Sequence, residues 1–477
     1  MYDLIVIGSG PAGEKGAAQA AYFGKRVVLV EREAVLGGAS INTGTIPSKT
    51  LRESALHLSG LLQRGFRDVV HDSTRDTITV DSFLHREKVV VGEERRRVVS
   101  NLRRHEIECV RGTAALRSAH QVHVSGPEGE RVLEGEFILI ATGSSPARPE
   151  GIPFDDVSVC DSDTILRIDV IPKTMAVVGA GVIGCEYASV FAALGVQVHL
   201  IDGRTTLLPH IDRELLRILI GEMQNRLGVT LHLGVEVLAI SRDSDSVTLT
   251  LGDGRSVDVE KVLYAAGRMS NTPSLGLEAA GVLTGKRGLI PVNEHYQTNI
   301  PNIYAAGDVI GFPALASTSM EQARVAVVHA FDLKYKTDVA CTLPYAIYTI
   351  PELSTIGLTE DDCAEKGQTC EVGRAFYRGN ARGQIIGDVT GMIKLVFDPA
   401  TLRLLGVHIV GEDAAEILHI GMMVMQFEGT INAFIDGVFN FPTLSEGYKY
   451  AAYDGLGNLA RERRSRSGGP EDALPAE

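Results

Sequence analysis

The chain has 477 residues, which at about 150 residues per domain allows roughly three domains and a core large enough to enclose a sizeable cofactor. Its composition is globular, 44% hydrophobic and 22% charged with 51 glycines, and a formal charge of -14 argues against nucleic acid as a partner. The longest apolar runs, such as residues 417–425, fall far short of the ~20 residues a spanning helix needs, so no membrane partner is expected.

In chain order, the strand pattern DLIVIG at residues 3–8 comes first and leaves no room for an export leader, so a cytoplasmic location is expected. It runs into a glycine-rich turn at Gly8, Gly10 and Gly13, a helix, and a second strand closed by Glu31. The same unit recurs in MAVVGAGVIGCE, with Gly179, Gly181, Gly184 and a closing Asp202. In each copy the acid follows the first glycine by 23 positions, from 8 to 31 and from 179 to 202. One GxGxxG is a weak signal, whereas two with their acids in register indicate a duplicated dinucleotide-binding βαβ unit.

The first glycine of each turn permits a tight bend, the second lets the backbone approach a pyrophosphate, and the third lets the helix pack on the strand. The helix start then faces the phosphates. Glu31 is expected to accept from a ribose hydroxyl. Asp202 favours a free 2'-hydroxyl, and Arg204 could pair with a 2'-phosphate or simply lie in solvent; in the first case one loop tolerates both NAD and NADP.

Residues 82–105 read as a helix, with Arg95, Arg96 and Arg97 on a solvated face. ILIATGSSP at residues 138–146 reads as a buried strand and turn, and VLYAAGR at residues 262–268 repeats that pattern after the second glycine loop. IYAAGDVIG at residues 303–311 sets Asp308 where a carboxylate can bind a sugar-like chain. Thr318 and Glu321 then suggest a capping box opening a helix through Ala330.

From about residue 343 the strand patterns AIYTIPELSTIG, MIKLVFD and LLGVHIVG precede an apolar helical stretch at residues 415–427, an α+β texture. The polar segment after Ala460 is expected to be disordered. Cys109, Cys160, Cys185, Cys341, Cys363 and Cys370 include no CxxC or CxxxxC pair, so neither a metal site nor a disulfide framework is expected.

The first glycine loop together with Asp308 resembles the two-part FAD signature of the flavoprotein disulfide reductases, which have the pyridine nucleotide-disulfide oxidoreductase fold. LGGASINTGTIPSK at residues 36–49 is similar to that family's redox segment GGxCxNxGCxPxK in its glycines, Asn42, Pro47 and Lys49. Both sulfur positions are lost, to Ser40 and Thr45, and a hydroxyl cannot cycle between thiol and disulfide. NFPTLSE at residues 440–446 is similar to the family's HPTxSE, with Phe441 in place of the catalytic histidine and Glu446 retained. The pattern is that of a chain without the dithiol half-reaction. GTIPSKTLRE, GVIGCEYAS, GDVIGFPALAS and FNFPTLSE further resemble the soluble, Si-specific pyridine nucleotide transhydrogenases.

The resemblance, over residues 1–460, implies an α/β fold with two Rossmann-like domains, for FAD and NAD(P), and an α+β C-terminal dimerisation domain. The expected bounds are 1–150 and 271–340 for FAD, 151–270 for NAD(P), 341–460 for the contact of a homodimer or higher homo-oligomer, and 461–477 for the tail. Arg32, Thr142, Gly143, Ala316 and Gly267 join the cofactor set. Lys49, at the start of a helix opened by Pro47, and Glu186 match the family's ion pair near the flavin, and Thr45 is the third catalytic candidate. The helix after Asp308 is implied to point its positive end at the flavin. The activity implied is ping-pong hydride transfer between NADPH and NAD through FAD. Rival readings are a diaphorase or oxidase using oxygen or a quinone, a disulfide reductase such as lipoamide dehydrogenase, and a non-catalytic FAD-binding protein.

Overall fold

The computed structural model describes residues 1–63, 78–243, 246–340 and 342–466. The chain forms two compact units: the first comprises Met1–Ser54, Ile78–Gly179 and Glu236–Cys341, the second Ala55–Thr77, Ala180–Val235 and Thr342–Glu477.

The first unit is built on a seven-stranded sheet in the order Glu108–Arg111, Val27–Glu31, Tyr2–Ile7, Gly129–Ile140, Gln121–Gly126, Thr113–Leu116, with Ile303–Ala305 also on Gly129–Ile140. Tyr2–Ile7 and Val27–Glu31 are near-continuous apolar runs because they are parallel strands covered on both faces. Strand Gly129–Ile140 changes role along its length. Its first part is antiparallel to Gln121–Gly126, and its end lies parallel to Tyr2–Ile7 and Ile303–Ala305. The chain thus returns at residue 303 to the sheet it left, which brings Asp308 beside the first glycine turn. Helix Pro11–Tyr22 packs on helix Ala316–Ala330; a Cβ at Gly16 would lie 2.6 Å from Leu139 and 3.3 Å from Ala323, so only glycine allows this approach. The unit also holds the parallel strands Thr174–Val178, Lys261–Tyr264 and Val159–Cys160, and a ribbon of Ser144–Pro146 against Arg268–Ser270.

The expected helix at 82–105 runs Val80–Arg104, capped by Thr79, whose side chain accepts from Ser82 N. Arg96 and Arg97 make exposed pairs with Glu93 and Glu94. Arg95 departs from the solvated-face expectation: its Nε donates to Asn42 Oδ1 at 2.6 Å, because an amide oxygen from the 36–49 segment lies within its reach.

In the second unit, helix Val182–Ala193 precedes the parallel strands Gln197–Asp202 and Thr230–Leu233. Helix Arg213–Gly221 is capped by Asp212, which accepts from Glu214 N and Leu215 N. The C-terminal part is a five-stranded antiparallel sheet in the order Tyr345–Ile347, Leu353–Gly357, Leu404–Val410, Met392–Phe397, Glu371–Phe376. The last strand was not legible in EVGRAF: Gly373 weakens the pattern, and it is glycine because a Cβ there would lie 2.0 Å from the Ala451 carbonyl oxygen. Helix Gly447–Arg466 extends through residues 461–466, which were expected to be disordered. Asn458 and Arg461 hydrogen bond on its last turns and RERR favours helix, while residues 467–477 lie outside the described residues.

The second unit also buries a charge cluster. Lys394, 1% exposed, donates to Asp212 at 2.7 Å, Glu214 at 3.1 Å and Glu360. Arg374 clasps Glu214 with Nε at 2.7 Å and Nη2 at 2.5 Å. No helix among the described residues is long and apolar enough to cross a membrane, and no group of three or more metal-ligating side chains is found among them. Cys109, Cys160, Cys185, Cys363 and Cys370 are free thiols, and Cys341 lies outside the described residues.

Candidate nucleotide sites

At the first turn Gly8 has φ 102°, and a Cβ would lie 2.4 Å from the Ala141 carbonyl oxygen. A Cβ at Gly13 would lie 1.8 Å from the Gly8 carbonyl oxygen, whereas at Gly10 the nearest atom is 3.9 Å away. The turn is therefore tight within the protein and open on the side where a ligand would approach. Gly10 caps helix Pro11–Tyr22 without a side chain, and Pro11 has no N–H, so the remaining first-turn amides meet no side-chain acceptor. Glu31 is buried, with Oε2 accepting from Ser9 N at 2.9 Å and Ser9 Oγ at 2.6 Å, and Oε1 from Glu33 N at 2.9 Å. A carboxylate has about four acceptor sites, which leaves room for a sugar hydroxyl. Arg32 is exposed and pairs with Glu33 at 3.2 Å.

Across from this turn, Thr142 Oγ1 is buried with no hydrogen-bond partner among the described residues, and Gly143, at φ 67°, has none of their atoms within 4 Å of a built Cβ. A buried orphan hydroxyl beside open space is satisfied by a polar ligand, so these residues fit a dinucleotide. Asp308 Oδ2 accepts from Ser144 Oγ at 2.7 Å. Helix Ala316–Ala330 starts two residues before the expected capping box, with Leu315 as its uncapped N-cap. Thr318 is buried inside it, and Glu321 pairs with Lys336 and Arg324 instead of reaching back. The uncapped amides leave the positive helix end available to an anion.

In the 36–49 segment, a Cβ on Gly38 would lie 2.6 Å from Gly10 Cα, so this glycine lets the segment touch the first turn. Ser40 lies in the short helix Gly38–Asn42, and Asn42 Nδ2 donates to the carbonyls of Leu36 and Gly38. The next helix, Thr45–Gln63, opens at Thr45 and not at Pro47. Pro47 sits in the first turn, where its missing N–H costs nothing. Thr45 is exposed, and Lys49 Nζ donates to Ser48 Oγ at 3.4 Å.

The second turn repeats the first. Gly179 has φ 105° and a Cβ would lie 2.9 Å from the Ala265 carbonyl; Gly181 has nothing within 4 Å; Gly184 is buried in helix Val182–Ala193. Asp202 Oδ2 accepts from Ala180 N at 2.6 Å, as Glu31 accepts from Ser9 N, so both acids hold the amide between the first two glycines of their loops. Arg204 is exposed and forks onto Asp202, Nε to Oδ1 at 2.9 Å and Nη2 to Oδ2 at 2.7 Å. Burial works against the Asp202 charge, but Arg204 and two backbone amides outweigh it and hold its carboxyl below the usual range. Glu186 is buried with Oε1 accepting from Tyr348 N at 2.9 Å. Gly267 has φ 123° and is exposed. Phe441 is exposed, and Glu446 accepts from the Tyr450 hydroxyl at 3.2 Å.

Residues 2–330 match the pyridine nucleotide-disulphide oxidoreductase family and residues 343–452 its dimerisation domain, and the chain belongs to this family. It is 45% identical to a soluble pyridine nucleotide transhydrogenase of Mycobacterium bovis BCG Pasteur, over 96% of this chain and 98% of that one. It is 40% identical to the soluble pyridine nucleotide transhydrogenase of Chromohalobacter salexigens, over 96% and 99%. Among solved structures, the HOCl-induced flavoprotein disulfide reductase RclA from Escherichia coli superposes with a TM-score of 0.85 at 29% identity, covering 95% of this chain and 99% of that one. LpdA from Mycobacterium tuberculosis superposes with a TM-score of 0.87 at 25% identity, covering 94% and 99%.

Proposed function

We propose that this chain is a soluble pyridine nucleotide transhydrogenase that moves hydride between NADPH and NAD through FAD by a ping-pong route. The observation that carries the reading is the pairing of two intact glycine loops, each with its acid on the loop amide, with hydroxyls at Ser40 and Thr45 and a phenyl at Phe441. The names of the full-length relatives support it. FAD, when bound, supplies the hydride acceptor and donor. Gly8, Gly10, Gly13, Glu31, Arg32, Thr142, Gly143, Asp308 and Ala316 hold it, with Lys49 at its reacting end. Gly179, Gly181, Gly184, Asp202, Arg204 and Gly267 hold NAD or NADP, Glu186 is fixed by the Tyr348 amide, and Thr45 stands where a sulfur would. With no nucleophile required, the protein contributes positioning and charge. The dimerisation-domain match favours a homodimer, and the word soluble in the names of the relatives favours the cytoplasm. The domain bounds are 1–150 with 271–340, 151–270 and 341–460.

The test is anaerobic. NADPH added to purified protein is expected to remove the oxidised-flavin absorbance, and NAD added next to restore it with one NADH formed per flavin. Reoxidation by oxygen or a quinone but not by NAD would instead identify a diaphorase.

The Asp202–Arg204 fork leads to a second expected outcome. Arg204→Ala should raise the KM for NADPH about 10-fold, the worth of one charge-assisted phosphate contact, and leave that for NADH within about 2-fold. Steady-state kinetics with each nucleotide checks this, and an equal rise for both would exclude a 2'-phosphate role.

A further inference from the structure

Within the first unit, the carboxylate of Asp308 is held by a chain of two partners, one from each of the segments at residues 138–146 and 262–268. Ser144 Oγ donates to Asp308 Oδ2 at 2.7 Å, Arg268 Nε donates to Ser144 Oγ at 2.8 Å, and Arg268 Nη2 donates to the Ser144 carbonyl oxygen at 2.7 Å. A serine hydroxyl has a single hydrogen. With the guanidinium N–H directed at its lone pair, Ser144 has that hydrogen committed to Asp308, and among the described residues no donor meets Asp308 Oδ1, which leaves it open as an acceptor. The planar fork fixes Ser144 at two points, side chain and backbone, which a lysine could not reproduce.

The surroundings make this a built device. Arg268 and Ser144 lie on facing strands, Arg268 opposite Pro146 and Ser270 opposite Ser144. Asn271 completes the clip, its Nδ2 donating to the Thr142 carbonyl at 2.9 Å and its backbone N to Gly143 at 3.0 Å. The turn carrying the orphan Thr142 hydroxyl is therefore tied down by residues just after Gly267. Burial pushes the Asp163 carboxyl up, while the charge of Arg268 and the Thr43 hydroxyl pull it the other way.

We propose that Arg268 is a positioning residue for the flavin, acting through the Ser144 hydroxyl to keep Asp308 oriented as an acceptor for a sugar-chain hydroxyl. The inference rests on the flavin reading given above. The experiment is FAD titration of the apoprotein, followed by flavin fluorescence, on wild type, Arg268→Met, Arg268→Lys, Ser144→Ala and Ser144→Ala/Arg268→Met. Arg268→Met and Ser144→Ala are each expected to weaken FAD binding about 10- to 100-fold, the range for a hydrogen bond to a charged group. The double variant should be no weaker than the weaker single, and Arg268→Lys should recover part of the loss. AMP binding at the second loop should not change. Wild-type FAD affinity in Arg268→Met, or independent multiplication of the two single losses, would overturn the inference. If Arg268→Met does not fold, Ser144→Ala decides, since it removes the relay and keeps the charge, and wild-type affinity there rejects it. A wild-type chain that takes up no FAD would overturn the flavin reading and this inference together, whereas uptake by wild type and Arg268→Met alike overturns the inference alone.

Discussion

Lys394→Met should lower the stability of the second unit by about 3–5 kcal/mol, the cost of removing one partner from a buried ionic cluster. The lysine is 1% exposed and faces Asp212, Glu214 and Glu360. Without it Glu214 and Glu360 retain the Arg374 guanidinium, at 2.5 and 3.8 Å, while Asp212 must cap helix Arg213–Gly221 with its own charge unscreened. Burial opposes the lysine's charge, yet Asp212 and Glu360 outweigh that and raise its pKa. Thermal unfolding checks the outcome, with a midpoint drop of about 6–20 °C expected for a body of 150–250 residues.

The same cluster gives the acid limb of stability a definite sign. The Arg374 guanidinium holds the Glu214 carboxyl at about 2, well below its ordinary 4.5. A depressed carboxylate contributes stability above its unfolded pKa and loses it as pH falls through the folded one. The contribution of Glu214 is thus complete above about pH 4.5 and fades toward pH 2. Glu214→Gln should flatten the stability profile across that window, and an unchanged slope would show that the pair does not set it.

Gly10→Ala and Gly181→Ala are expected to leave both units folded and to weaken FAD and NAD(P) respectively by about 100-fold, roughly 2.7 kcal/mol. The reason lies in where their side chains would go. A Cβ at Gly181 meets no protein atom within 4 Å and one at Gly10 meets only Gly38 Cα at 3.9 Å, so the added methyl occupies space that a pyrophosphate needs. Gly13→Ala is the contrasting case. Its Cβ would lie 1.8 Å from the Gly8 carbonyl oxygen, so the helix must move and both stability and flavin retention should fall. Circular dichroism and flavin content on the three variants separate the two classes, and loss of folded structure in Gly10→Ala would contradict the open-cradle reading.

Much of the nucleotide chemistry was legible in the chain itself. The glycine spacing, the closing acids Glu31 and Asp202, and the substitutions Ser40, Thr45 and Phe441 are local facts, because a tight turn demands glycine and a thiol reaction demands sulfur. The duplication was visible too, and it extends to Gly8 against Ala141 and Gly179 against Ala265.

What the sequence by itself determined was the set of turns, strands and chemical groups, since these depend on residue type and short spacing. Tertiary structure decided which distant groups meet. Arg95 reaches Asn42 across 53 positions, Ser144 meets Arg268 across 124, and Lys394 meets Asp212 across 182. No periodicity encodes such pairings, because they arise only when sheets close and bury charge. The start of the helix at Ala316, and not at the T-x-x-E pattern, follows the same rule: Thr318 is drawn inside by packing, and Glu321 finds Lys336 and Arg324 where the folded chain brings them.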